Sequence, residues 1–179
     1  MFRPTEDSRI QISELMKPSH ANFGGKIHGG YILSLMDNVA FACASKHSRS
    51  YCVTASVNKV NFLNPIEVGE LVTMKASVNY VGNSSMVVGI RVESENIRTG
   101  ETKHCNSSYF IMVAVDEDGN KVSVPGLILT NKLAAKRFIK SIIRQESDTK
   151  RSMDLENLYK NLDLHLEKLK DYKVQIDFK

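Results

Sequence analysis

Residues 31–46, YILSLMDNVAFACASK, constrain this chain more than any other segment, because the run is apolar on nearly every face of a helix. A helix apolar all round belongs in an interior, so this segment is expected to be the central element of the domain, buried on all sides. Asp37 and Asn38 interrupt it near its middle, and a carboxylate in such surroundings is expensive unless something pairs with it. Ahead of it lies KPSHANFGGKIHGG, residues 17–30, which four glycines, Pro18 and Asn22 mark as a loop.

The flanking sequence has a different period. Residues 10–16 read as a short strand, and residues 53–62 alternate imperfectly toward Leu63-Asn64-Pro65 and a turn at Val68-Gly69-Glu70. Val72, Met74, Ala76, Val78 and Tyr80 alternate with polar neighbours; beyond the turn Gly82-Asn83-Ser84, Met86, Val88, Ile90 and Val92 repeat that period. A turn near Thr99-Gly100 leads to residues 105–115, with Tyr109, Ile111, Val113 and Val115 on one face, and Asp118-Gly119 closes a hairpin into residues 122–124. Connections this short force an antiparallel meander. One buried helix against one face of a curled antiparallel sheet is an α+β architecture.

A chain of 179 residues and 20.1 kDa fits one ordinary domain with an appendage, and 42% hydrophobic with 25% charged residues is a globular balance. The net charge of +4 is uneven: residues 1–125 carry 12 basic and 12 acidic side chains, residues 126–179 carry 12 and 8. That tail is salted with acids and poor in aromatics, unlike the basic stripe of a nucleic-acid binder, so nucleic acid is not an expected partner. The tail reads as a helix over residues 131–146, a polar break over 145–152, and a second helix from Met153 to about Tyr172 bearing Leu155, Leu158, Leu162, Leu166 and Leu169. The expected division is therefore a domain over residues 1–126 and a helical extension over 127–179. No stretch approaches ~20 uncharged apolar residues, so no membrane span is expected. The charged N-terminus lacks a secretory signal, and three cysteines without CxxC spacing suit free thiols, which together point to the cytoplasm.

Most chemistries are unsupported. His20, His28, His47, His104 and His165 lack the paired spacing of a zinc site, so no metal is expected. GxGxxG, GxxxxGK[ST] and GxSxG are all absent. Cys43 sits in the apolar helix, where packing is the simpler role. What remains is Asn22 in the loop, His28-Gly29-Gly30 at the helix start and Asp37 within the helix. A Gly-Gly start lets backbone approach a ligand closely, and its unpaired N–H groups suit an oxyanion or polarised carbonyl. The plainer readings are a turn-forming Asn22, a helix-leading His28 and an Asp37 bonded to a loop or a subunit.

The run HANFGGKIHGGYILSLMD, residues 20–37, resembles the signature of the hotdog-fold acyl-CoA hydrolases, and is most similar to the bacterial short-chain cytosolic group. VNKVNFLNPIEVGE (57–70) and VGNSSM (81–86) match that pattern too, so the resemblance covers residues 8–126. It implies a hotdog fold and hydrolysis of acyl-CoA to fatty acid and coenzyme A. It further implies that Asn22 and Asp37 form a catalytic pair across a dimer interface, in dimers that assemble as trimers of dimers. The Gly30 N–H would be the oxyanion donor, with His28 and Gly29 nearby. Asp37 would be general base on water, or nucleophile through an anhydride, and Asn22 would orient water or carbonyl. Candidates for the anionic end of coenzyme A are Lys59, taken to lie on the second strand, the turn residues Gly82, Ser84 and Ser85, and Arg137 or Lys136. Where relatives often carry Arg or Lys in that turn, Asn83 stands here. Met36, Val39 and Ala40 are candidate acyl-chain liners. Coenzyme A is part of the substrate, so no separate cofactor is implied. The alternatives are a hotdog module that binds or senses acyl-CoA without hydrolysing it, and a dehydratase pairing His28 with Asp37.

Overall fold

The structure is a computed structural model describing residues 1–160 and 162–177, with two successive compact units, Met1–Phe138 and Ile139–Lys179. The first holds β1 (Phe2–Pro4), β2 (Ile10–Leu15), α1 (Gly29–Ser48), β3 (Tyr51–Val57), β4 (Leu71–Val81), β5 (Ser85–Asn96), β6 (Glu101–Val115) and β7 (Gly126–Ile128). Five strands form one antiparallel sheet in the order β2-β4-β5-β6-β3, while β1 pairs with β7 in parallel. This meander around one long helix is the expected α+β layer.

The core lies between α1 and one face of the sheet. Ile32, Met36, Val39, Ala40, Cys43 and Ala44 pack on Val72, Met74, Val78, Val88, Ile90, Phe110 and Met112. Each large apolar side chain removed from water there contributes about 1.5–3 kcal/mol. Tyr109, Ile111, Val113 and Val115 do share a face of β6, but it is the outer, half-buried one; α1 meets the alternate set, Ser108, Phe110, Met112 and Ala114. Ser8 ties the layers together: its Oγ accepts from the Val78 amide at 3.0 Å, and its carbonyl accepts from the Cys43 thiol at 3.1 Å.

The expectation that α1 is buried on all sides does not hold within one chain. Ser34, Asp37, Asn38 and Phe41 are exposed, because a single sheet can cover only one side of a helix. The neighbouring edge strand β3 is equally bare, with Tyr51, Val53 and Val57 exposed and its outer edge unpaired. Such an edge is a ready template for another chain.

Three boundaries also shift. β3 ends at Val57 rather than 62, because residues 58–64 follow β6 through scattered bonds (Asn58 N to Tyr109 O, Leu63 N to Cys105 O) instead of a ladder. Residues 122–124 are likewise held by single bonds, Val122 N to Ala114 O and Val124 N to Asn83 O, after the turn whose Gly119 has φ +82°. The polar break expected at 145–152 is absent: α2 runs unbroken over Lys132–Lys160, followed by a 3-10 segment, Leu162–Asp171. Ser147, Thr149 and Ser152 turn their hydroxyls onto carbonyls four residues back, at 2.8, 2.9 and 3.0 Å, so these polar side chains ride on the helix without interrupting it. The side chains of Leu162 and His165 lie outside the described residues. No helix is long and apolar enough to cross a membrane among the described residues.

Candidate active site

Asn22 shapes its own loop. Its Oδ1 accepts from the amides of Gly24 (2.9 Å) and Lys26 (3.2 Å), while Gly25 takes φ +75° to let the chain reverse. The loop is then fixed to its surroundings: Ile27 N donates to Ile66 O at 2.9 Å, His28 N to His20 O at 2.9 Å, and Lys26 pairs with Glu67 at 2.5 Å. The His20 ring stacks on Tyr31 at 4.0 Å, and the Tyr31 hydroxyl donates to Glu14 at 2.5 Å. With Oδ1 so employed, the Asn22 amide nitrogen has no hydrogen-bond partner among the described residues and the side chain is exposed. It is a fixed donor. Phe23, at the loop tip, is wholly exposed.

His28 caps α1: its Nδ1 accepts from the Gly30 amide at 2.9 Å. The proposed oxyanion donor therefore already has an acceptor, which an incoming oxyanion must share or displace. Both glycines are needed for close approach. A Cβ on Gly30 would stand 2.9 Å from the His28 ring, and one on Gly29 would stand 3.1 Å from Phe62, whose ring lies over the helix start.

Asp37 follows seven residues after Gly30, about 10 Å further along the axis at 1.5 Å per residue. It is exposed, and its Oδ1 accepts from the Thr54 hydroxyl at 2.6 Å. Thr54 lies at a β-bulge in β3, where the register shifts between Thr54 and Ser56. Sequence spacing did not single it out, since a strand threonine carries no mark of its neighbour across the sheet. No hydrogen bond joins Asn22 to Asp37 within the chain among the described residues.

The remaining candidates scatter. Lys59 is not on a strand but exposed in the irregular segment after β3. Gly82, Ser84 and Ser85 form the β4–β5 turn, where Gly82 N donates to Ser85 O at 2.8 Å and Ala114 N to Ser84 O at 2.9 Å. This turn sits at the sheet end where β3 begins, by the last turn of α1, away from that chain's own Gly29-Gly30. Arg137 reaches Ser77 on the outer face of the sheet at 3.5 Å, opposite α1. Of the acyl-liner candidates, Met36 and Ala40 are fully buried against the sheet, and Val39 borders a cavity. That cavity, about 200 Å³, is walled by Ile12, Leu35, Val72 and Met74, with Glu14 and Asn38 as its polar members. The three cysteines are free and buried, and burial pushes the Cys43 thiol up to about 12 and raises that of Cys105, which suits packing rather than nucleophilic roles for these two. Among the described residues no group of His, Cys, Asp and Glu could hold a metal ion.

A long helix wrapped by a curled antiparallel sheet, entered through a glycine pair and carrying one solvent-facing carboxylate, is the architecture of a hotdog protein. Residues 24–101 match the Thioesterase superfamily. The chain is 42% identical over 143 residues to Protein VdlD of Helicobacter pylori, covering 80% of this chain and 82% of that protein. It is 33% identical over 123 residues to an uncharacterized acyl-CoA thioester hydrolase, YkhA, of Bacillus subtilis, covering 69% and 72%. A solved apo-hexameric acyl-CoA thioesterase superposes with a TM-score of 0.82 at 34% identity, covering 84% of this chain and 97% of that one. The chain belongs to the hotdog-fold acyl-CoA thioesterases.

Proposed function

We propose that the chain hydrolyses acyl-CoA at sites shared between two copies, Asp37 coming from one and the Asn22 loop with the Gly30 amide from the other. The observation that supports this most is axial distance. One chain's Gly30 N–H lies about 10 Å from its own Asp37, too far for both to act on one thioester, whereas a two-fold-related helix can bring the partner's start beside it. The exposed stripe of α1 and the open edge of β3 supply the surface for that pairing. Further assembly into a trimer of dimers is part of the same reading.

The chemistry follows from the fixed groups. Thr54 holds Oδ1 of Asp37, leaving Oδ2 to take a proton from water as it attacks the thioester carbon. Charge develops on the carbonyl oxygen, where the Gly30 N–H and the Asn22 amide nitrogen donate. Collapse breaks the C–S bond, and the proton held by Asp37 passes to the departing thiolate, giving fatty acid and coenzyme A. This route uses water and asks for no cofactor. The acyl chain enters the cavity beside Val39 and Leu35. Lys59 and the turn Gly82, Ser84 and Ser85 are offered to the nucleotide end. Except for Arg137, every residue assigned falls within residues 1–126, the catalytic domain of this reading, with 127–179 as its extension.

Thiol release from acyl-CoA, followed with a thiol-reactive dye, tests the reading. Asp37→Ala is expected to lower kcat by about 10²–10⁴, and Asn22→Ala by about 10²–10³. Mixing the two inactive variants should restore about a quarter of wild-type activity, since half the re-formed dimers hold one intact site. No recovery in mixed dimers would defeat the shared-site arrangement.

A further inference from the structure

Phe23, next to Asn22, takes no part in the hydrolysis steps, yet it is the most exposed large apolar side chain among the described residues. Its loop gives it no freedom to fold back. Asn22 Oδ1 holds the amides of Gly24 and Lys26, and Ala21 and Ile27 close the base as an antiparallel bridge. A second bare aromatic feature lies further along the chain. Phe41 and Tyr51 meet edge to face with ring centres 5.3 Å apart, and remain 38% and 63% exposed. Phe41 follows Asp37 by one helical turn, and Tyr51 opens the strand that carries Thr54, so the pair adjoins the carboxylate and its hydroxyl donor.

The helix sets where these two features fall in a pair of chains. Its exposed stripe includes Gly30, Ser34, Asp37 and Phe41, spaced four, three and four residues and therefore on one face. Two antiparallel helices that bring Gly30 to the partner's Asp37 must have their two-fold axis between positions 33 and 34. Gly30 and Ser34 are small, which suits close approach of the helices around that axis. Position 41 then lies level with the partner's position 26, inside the loop that carries Asn22. Within its own chain Phe41 stands about 16 Å along the axis from Gly30. Lys26 is already paired with Glu67, so the loop brings no unpaired cation to the rings.

We infer that Phe23 is a positioning residue for hydrolysis: its ring packs on the partner's Phe41–Tyr51 pair and holds the adjacent Asn22 amide at the partner's Asp37. The inference rests on the shared-site reading and adds what fixes one chain's loop against the other's helix. An edge-to-face pair at the surface leaves ring area open to a third ring, and such contacts gain both from burial and from ring geometry. By symmetry the contact occurs twice, once at each site. The backbone between Phe23 and Asn22 is a single peptide link in a braced loop, so seating the ring seats the amide.

Sedimentation of the full chain over a dilution series gives the dimer dissociation constant for wild type, Phe23→Ala, Phe41→Ala and the double variant. Both rings lie at the surface of the single chain, so the variants are expected to keep the fold, which circular dichroism verifies. Phe23→Ala should raise the dissociation constant at least about tenfold and couple with Phe41→Ala by at least about fivefold, the contact being made twice. At protein concentrations that keep every variant dimeric, kcat of Phe23→Ala should fall about tenfold with KM unchanged, and Phe23→Tyr should restore it. Independent effects on association, an unchanged kcat, or a KM that rises with kcat intact each overturn the inference, the last by making Phe23 a substrate contact. The shared site is read separately, from recovery in mixed Asp37→Ala and Asn22→Ala dimers. Recovery without aromatic coupling leaves that reading standing and removes Phe23; coupling without recovery leaves a contact between copies and removes its part in catalysis.

Discussion

The Thr54 hydroxyl donates to Asp37 Oδ1 at 2.6 Å, joining the exposed stripe of α1 to a bulged edge strand. Because both partners face solvent, the bond contributes little to folding; its effect is to fix which carboxylate oxygen is left to act. Thr54→Val keeps the shape and removes the donor. We expect kcat to fall about tenfold with KM nearly unchanged, and stability to stay within about 0.5 kcal/mol. A variant with unaltered kcat would remove Thr54 from the site.

The contact between His28 and Gly30 separates two roles of one amide. His28→Ala deletes the cap and should cost about 1 kcal/mol in unfolding experiments while leaving the N–H free for an oxyanion, so kcat is retained. Gly30→Ala places a methyl where the imidazole stands and obstructs the same point from the ligand side, so kcat is expected to fall by 10-fold or more, about 10²-fold at most. Equal losses in both variants would show that the imidazole, not the amide, meets the substrate.

How far the sequence discloses this molecule depends on the range of each contact. The apolar run around Met36 and the alternation through Met74 and Ile90 are local periods, and helix and meander follow from them. β1 and β7 are three residues each and exist only through pairing between positions 124 apart, as in Phe2 with Gly126, so no local pattern announces them. Asn22, Gly30 and Asp37 stand out because their residue types are anomalous where they occur. Thr54 does not: it acquires its neighbour through a bulge, and a one-residue register shift leaves no compositional trace.

Glu70 braces the loop that carries Asn22. Its carboxylate accepts from the Glu67 amide at 3.0 Å and pairs with Lys103 at 2.8 Å, and Glu67 in turn holds Lys26. Burial pushes this carboxyl up, but hydrogen bonds from Lys103, the Glu67 amide and Ser94 outweigh it and hold the group below the usual carboxylate range. Stability from this pair is therefore present above about pH 4.3, the unfolded value, and lost as pH falls through the folded one. Lys103→Met should destabilise by about 2 kcal/mol at neutral pH. With only the Glu67 amide and Ser94 left to oppose burial, it should also shrink the loss of stability as pH falls below about 5. Urea melts across that range measure both.

His47 stands at the other end of α1, wholly buried, with Nε2 donating to the Pro125 carbonyl at 2.9 Å and Nδ1 unpartnered among the described residues. Burial pulls its pKa below the ordinary value; Arg3 adds to the shift, while the Pro125 bond and Asp7 oppose it. A proton then binds the unfolded chain more readily than the folded one, so the folded state loses stability as pH drops below about 6.5. The loss should appear first where Pro125 anchors β7, because charging the imidazole forces Nδ1–H to seek an acceptor that the core lacks. Denaturation midpoints measured from pH 8 to pH 5 are expected to fall, and hydrogen exchange at Phe2–Pro4 and Gly126–Ile128 to quicken before that of β4–β6. In His47→Gln, which keeps a donor without the titration, the pH dependence over this window should flatten even if the variant is less stable throughout; an unchanged slope would place the acid sensitivity elsewhere.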